Sequence, residues 1–263
     1  MVRLAALSLT AVSNKQGILG EQAERAPVVD HLPFYYSIHL NKPCNQRCIM
    51  CVPGFDHARD VLPFDAFASL FEQIEPYAEH VTLIGGETFM YPSIAEALEL
   101  LGRRSVEVTI NTNATMLNDR VIPGLLGLHA LNLKCSIHAA TPATYRRVHG
   151  RDHFERVTQN MRHFAEVSRD LADIRIITVY VVMRENVDEV VPFIEFARTL
   201  DPHRVEFHPV RHVADWEVEN GTDWQFHGRE QVCESFTDEY NDVMEQAAER
   251  CEAEGLSYEV IPL

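Results

Sequence analysis

The sequence predicts an α/β fold, an open partial (β/α)6 barrel of parallel strands. Three observations carry that prediction. Strand-like and helix-like segments alternate from residue 34 onward, one parity of the strands is polar, and the other parity is apolar. A doubly wound sheet, covered on both faces, would instead read as continuous apolar runs. Here alternate strand positions read Ser37 and His39, then Glu107, Thr109, Asn111 and Asn113, then Lys134, Ser136 and His138. Thr178 and Tyr180, then Glu206 and His208, continue the series. The intervening residues are nearly all Val, Ile, Leu, Phe and Cys. A polar inner face suits a lumen that holds a polar ligand, with helices packed on the apolar outside.

Taken in order, strands are predicted over 34–40, 80–84, 106–111, 131–137, 174–182 and 204–208. The first helix follows Pro63, with Phe67, Leu70, Phe71 and Ile74 at helical spacing. Further helices are expected over 93–103, 119–126 and 154–168. Another carries Val187, Val190, Val191 and Ile194 on one face, and the last spans about 234–254, before a terminal strand at 258–261. Residues 1–33 show no clear period and read as an N-terminal extension; 34–263 read as one domain. The apolar start is short and lacks a small-residue cleavage site before Lys15, which predicts a mobile or strand-like leader on a cytoplasmic protein.

At 263 residues the chain can bury a substantial core, and 46% hydrophobic with 24% charged residues excludes a disordered chain. A formal net charge of −16 argues against nucleic acid and anionic membranes as partners. No apolar run approaches the ~20 residues that span a bilayer.

Chemistry concentrates in Cys44-Asn45-Gln46-Arg47-Cys48-Ile49-Met50-Cys51, between the first predicted strand and a turn at Pro53-Gly54. Three thiolates on one tight loop can ligate three irons of a 4Fe-4S cluster and leave the fourth iron open. The same triplet is compatible with part of a zinc site, with disulfide partners in a secreted chain, or with a chance cluster. The C-x3-C-x2-C spacing resembles the signature of the radical S-adenosylmethionine (SAM) superfamily, and further motifs agree with it. Gly85-Gly86-Glu87 ends the second strand and resembles that family's GGE(P) motif, with Thr88 in place of proline. Asn111-Thr112-Asn113-Ala114 resembles its T-N-G segment, with Ala114 in place of glycine. Ser136-Ile137-His138-Ala139 and Tyr145 resemble the S-x-D-(G/A)-x4-Y stretch of cores that, in longer relatives, precede a SPASM or twitch auxiliary-cluster domain. Here His138 replaces aspartate.

The resemblance covers roughly residues 34–210. It implies that Cys44, Cys48 and Cys51 hold a 4Fe-4S cluster whose open iron is chelated by SAM. Gly85, Gly86 and Glu87 would bind the amino group of SAM, Asn113 would reach SAM or substrate from the polar side, Ser136 would touch SAM's polar end, and Met50 would pack near the adenine. By the same resemblance one electron, from a donor such as flavodoxin or ferredoxin, cleaves SAM to methionine and a 5′-deoxyadenosyl radical that abstracts a substrate hydrogen atom. His138 is a candidate substrate-side acid/base, Cys233 a candidate hydrogen-atom donor, and Tyr180, Glu206, His208, Trp216 and Trp224 candidates for the substrate pocket. Cys135 and Cys251 fall on apolar faces and read as core thiols. His203, His208 and His212 lack the spacing of a metal site and read as polar residues of the barrel mouth. The expected substrate is a small polar metabolite (sugar, nucleoside or antibiotic precursor). The alternatives are a peptide, as for peptide maturases, or a non-catalytic iron–sulfur or zinc protein, in which His57 is the nearest candidate fourth ligand.

Overall fold

The computed structural model describes residues 9–51, 60–211, 217–219 and 225–263. Its elements in order are α1 (Leu9–Glu24), β1 (Tyr35–Asn41), α2 (Phe64–Ile74), β2 (His80–Gly85), α3 (Ile94–Gly102) and β3 (Glu107–Thr112). Then come α4 (Ile122–Leu126), β4 (Ala130–Ser136), α5 (Pro142–His149), α6 (Phe154–Ser168), β5 (Ile174–Val182), α7 (Val190–Arg198) and β6 (Arg204–Pro209). A short hairpin, β7 (Glu217–Glu219) and β8 (Gln225–His227), precedes α8 (Gly228–Gln231), α9 (Thr237–Ala253) and β9 (Tyr258–Val260). Seven strands pair in the order β1-β2-β3-β4-β5-β6-β9, every pair parallel, and the sheet does not close on itself. The open partial barrel stands, with β9 added as a seventh strand beside β6.

The outer face of the sheet is the core. Leu40, Leu83, Val108, Leu133 and Phe207 are buried in one cluster with the helix residues Phe67, Phe71, Leu98 and Phe193. Burying each such side chain stabilises the fold by about 1.5–3 kcal/mol. Helices begin where the sequence supplies stops and caps. Thr141 accepts from the Thr144 N–H ahead of Pro142, and Gly150, at φ +64°, ends α5 in the left-handed region that glycine adopts without penalty.

Three elements differ from the sequence prediction. Residues 9–24 form a helix rather than a strand-like leader. It is tied back through paired Asn14–Leu32 hydrogen bonds (2.6 and 2.9 Å) and a Lys15–Glu79 ion pair (2.5 Å). Helix α5 went unpredicted, although the Thr141-Pro142 start and the Gly150 stop both mark it. The third difference is β5, whose faces are reversed. Arg175, Ile177 and Val179 line the lumen, while Tyr180 is fully buried on the outside against Phe193 and Phe207. Thr178 and Tyr180 make the outward face of β5 look polar, while the inward face pairs Arg175 with Ile177 and Val179, so residue polarity pointed to the wrong face.

Tyr180 therefore serves the core and not the substrate. Its hydroxyl donates to the Asn186 carbonyl at 2.7 Å. Tyr180→Phe is expected to cost about 1 kcal/mol in denaturant unfolding and to leave turnover unchanged.

Candidate active site

The loop that follows β1 lies across the carboxyl ends of the strands, where βα barrels gather their functional groups. It is fastened at two places. On one side the Gly86 N–H donates to Asn41 O (2.7 Å) and the Glu87 N–H to Pro43 O (2.9 Å). Asn41 Nδ2 completes this junction by donating to Pro43 O (3.1 Å) and Glu87 O (3.0 Å). A Cβ on Gly86 would sit 2.0 Å from Lys42 O and 2.4 Å from Pro43 O. The paired glycines thus admit the cysteine loop's own backbone. On the other side the Arg47 N–H donates to His149 O (3.1 Å) and the Ile49 N–H to Val148 O (2.9 Å), with Gly150 close under Arg47 O. Ile49 packs with Val148 and Met183, and Met50 covers that small cluster.

Cys44, Cys48 and Cys51 are free thiols, each partly exposed. Nitrogens approach two of the sulfurs: the Gln46 N–H at 3.4 Å and the Asn113 Nδ2 amide at 3.8 Å donate to Cys44 Sγ, and His149 Nδ1 lies 3.3 Å from Cys48 Sγ. Burial pushes the Cys44 thiol up to about 11 and raises Cys48 well above its ordinary value, with the neighbouring cysteines adding to both. Among the described residues, no three His, Cys, Asp or Glu side chains converge tightly enough to hold one metal ion.

Glu87 is only 1% exposed, and its carboxylate turns inward. It accepts from Phe89 N (3.1 Å), Thr112 Oγ1 (2.6 Å) and Asn113 N (2.7 Å), so it locks the end of β2 to the end of β3. Burial raises its pKa, and these hydrogen bonds oppose the rise. Against the expectation of a carboxylate presented to a ligand ammonium, the structure turns it inward onto three donors of the fold itself. Asn113 is nearly buried; besides Cys44 it donates to Asn45 Oδ1 (2.9 Å), and it accepts from Thr115 (2.6 Å to the hydroxyl). Ser136 faces the lumen below the cysteine loop.

His138 is buried, accepts from the Val181 N–H at Nδ1 (3.0 Å), and stacks on His149. Burial pushes its pKa down to about 3, so it stays neutral and stands apart from the lumen. Cys233 is also buried, and its thiol donates to Val182 O at 3.2 Å. Neither presents a reactive group to the cavity, which corrects both assignments: the segments looked polar in sequence but fold against the strand ends. Cys135 and Cys251 are core thiols, as expected. His57, His212, Trp216 and Trp224 lie outside the described residues.

The lumen encloses a cavity of about 760 Å³. Thr109, Asn111, Lys134, Ser136, Arg175 and His208 line it, and its size matches a metabolite-sized ligand. Beneath the lining residues Lys134, Arg204 and His208, Glu206, 1% exposed, accepts from Lys134 Nζ (2.7 Å), Arg204 (2.5 Å) and His208 Nε2 (3.0 Å). Nearer the amino ends of the strands, Glu107 accepts from Asn132 (2.6 Å) and lies 3.4 Å from Arg175. Lys134, Glu206 and His208 were legible in the alternation, which Asn132 extends by one step along β4; Arg175 was hidden on the misread β5, and His149 lies in the helix the sequence reading passed over.

The radical SAM superfamily pattern matches residues 40–197, more than half of the chain. The chain belongs to the radical SAM superfamily. A probable GTP 3',8-cyclase of Saccharolobus islandicus is 30% identical over 182 residues, 66% of this chain and 56% of that protein. GTP 3',8-cyclase 1 of Mycobacterium tuberculosis is 26% identical over 193 residues, covering 69% of this chain and 51% of its own length. The chain thus spans about half the length of these curated relatives. Among solved structures, Streptococcus suis SuiB bound to S-adenosylmethionine superposes with a TM-score of 0.72 at 14% identity, covering 94% of this chain and 54% of SuiB. Native anSMEcpe with bound AdoMet and Cp18Cys peptide gives 0.63 at 15% identity, covering 86% of this chain and 63% of its own. Both of these solved structures carry bound S-adenosylmethionine. Three thiols on one loop, two of them with nitrogens within 3.3–3.8 Å of their sulfurs, fit the thiolate ligation that a 4Fe-4S cluster requires.

Two predictions test this geometry. Gly86→Ala should force the loop off β2 and lower bound iron several-fold after anaerobic reconstitution, with unchanged far-UV circular dichroism. For Glu206, burial raises the pKa, but hydrogen bonds from His208, Lys134 and Arg204 outweigh it and hold the group at about 2 against an ordinary 4.5. A depressed carboxylate pKa stabilises the fold above the unfolded value, and that contribution is lost as pH falls through the folded one. Glu206→Gln should therefore cost about 3 kcal/mol at pH 7, since it strands partly buried cations. In urea titrations the gap to wild type should narrow as pH drops from 4.5 toward 2.

Proposed function

We propose that Cys44, Cys48 and Cys51 hold the cluster, and that the enzyme removes a hydrogen atom from a small polar metabolite seated in the lumen. The observation that carries this reading is the gathering of three cysteine thiols on one loop, fastened to the end of β2 and to α5, in a barrel whose lumen holds a polar cavity of about 760 Å³. When bound, the cluster and SAM supply an electron and a 5′-deoxyadenosyl radical, which becomes 5′-deoxyadenosine on taking the substrate's hydrogen. The chain supplies position. Ser136 and Asn113 stand between the cysteine loop and the lumen, where SAM's polar end would lie, and Met50 offers an apolar surface for its adenine. Glu87 contributes by fixing the strand ends and through its backbone. In the lumen, Lys134, Arg175 and Arg204 alternate with Glu107 and Glu206, a surface suited to hydroxyls and to anionic groups.

The name of the 30% identical relatives, GTP 3',8-cyclase, supports a nucleoside or nucleotide within that class. Peptide modification is the second reading, because SuiB with a precursor peptide also shares the fold. The electron would come from a small reductant such as flavodoxin or ferredoxin. No helix among the described residues is long and apolar enough to cross a membrane, and a reducing cytoplasm would suit the exposed thiols.

The test is anaerobically reconstituted protein incubated with dithionite and SAM, with 5′-deoxyadenosine measured by chromatography. Formation in the wild type and loss of at least a hundredfold in Cys48→Ala is the expected result. Bound zinc in place of iron, or undiminished product in Cys48→Ala, would overturn the assignment.

A further inference from the structure

His149 is fully buried at the end of α5, and its ring is oriented on every side. One face stacks on Tyr145, with centroids 4.1 Å apart, and the ring also stacks on His138 at 4.9 Å. Tyr145 is itself held by Gln46 Nε2, which donates to its hydroxyl at 2.7 Å. At the ring's edge, Nε2 accepts the backbone N–H of His138 at 3.3 Å. A ring nitrogen that accepts carries no proton, so the proton of the neutral imidazole resides on Nδ1. Nδ1 lies 3.3 Å from Cys48 Sγ. The tautomer is thus set by one backbone amide, and the resulting donor points at one sulfur.

We propose that His149 is a positioning residue for the cluster: its Nδ1–H donates to the Cys48 thiolate and raises the potential at which the cluster accepts an electron. This rests on Cys48 being an iron ligand. Reduction adds negative charge to the cluster, and an N–H donor on a ligating sulfur stabilises the more negative state. Cys44 receives its donors from Gln46 N and Asn113 Nδ2. For Cys48, His149 is the side-chain nitrogen donor among the described residues. The same residue's carbonyl accepts from Arg47 N, so backbone and side chain fix the loop together.

The experiment is an anaerobic redox titration of the reconstituted full chain, with the reduced cluster read by electron paramagnetic resonance. His149→Phe retains the stacking and removes the donor. At wild-type iron content its midpoint should fall by about 59 mV, a tenfold loss in the one-electron reduction equilibrium. His149→Asn places an amide N–H near the position of Nδ1 and should recover at least half of that shift. Equal midpoints in wild type and His149→Phe overturn the proposal. Should His149→Phe fail to load iron, wild-type protein labelled with 15N-histidine decides the matter. Pulsed resonance of its reduced cluster should show a 15N coupling absent from unlabelled protein, and indistinguishable spectra overturn the proposal. A wild type without any cluster signal would instead sink the assignment of the cysteines.

Discussion

The site depends on a backbone approach that only glycine allows. Lys42 and Pro43 carbonyls occupy the space where Gly86 would carry a side chain, and a Cβ on Gly85 would sit 2.4 Å from Asn41 Oδ1 and 2.9 Å from its carbonyl. That contact sets the height of the cysteine loop above β2. The opposite fastening, from Arg47 and Ile49 to the end of α5, sets its reach across the mouth toward β4. Hydrogen abstraction demands that donor and acceptor atoms meet within a narrow range of geometry, and effective positioning accounts for much of the rate in such steps. A loop held at both sides by backbone hydrogen bonds supplies that constraint before any ligand arrives.

Below the loop, charge is arranged so that the lumen stands open without collapsing. Each lumen carboxylate already has partners: Glu206 has Lys134, Arg204 and His208, and Glu107 has Asn132 and Arg175. An unpaired charge at the depth of Glu206 would cost several kcal/mol, so these pairings are a condition of having a polar interior at all. Arg175 and His208 remain partly exposed, which leaves them donors to share with a bound substrate.

Much of this was legible in sequence, and the limits have physical causes. The cysteine triplet, Gly85-Gly86-Glu87 and Ser136 each sit where a strand ends, and short-range spacing records such positions. The alternation of β3, β4 and β6 showed the lumen because those strands are polar on one face only. Strand β5 did not, since Ile177 and Val179 are as apolar as the outward Ile176 and Val182. Spacing also says nothing about the direction a carboxylate takes. Glu87 looked like a ligand group and proved to be a tie between strands, because three N–H and O–H donors from within the fold surround it. His149 carried no motif, and its role emerges only when α5 brings it over Cys48.

The departures from the family pattern are each absorbed by a local interaction. Ala114 replaces glycine and adopts φ +58°, a conformation costing an L-residue about 1–2 kcal/mol. Thr112 Oγ1 accepts its N–H at 2.9 Å and Asn160 donates to its carbonyl at 2.9 Å, which holds the turn despite that cost. Thr88 stands for proline and donates to Asn111 O at 2.7 Å, tying β2 to β3 beside Glu87. His138, in place of aspartate, accepts from β5 and supplies through its own N–H the contact that selects the tautomer of His149. An aspartate backbone could make the second contact, but its side chain could not reproduce the stack on His149. The substitution at 138 and the histidine at 149 therefore belong together: the His138 ring and backbone support the His149 ring, and His149 meets the cysteine loop at Cys48.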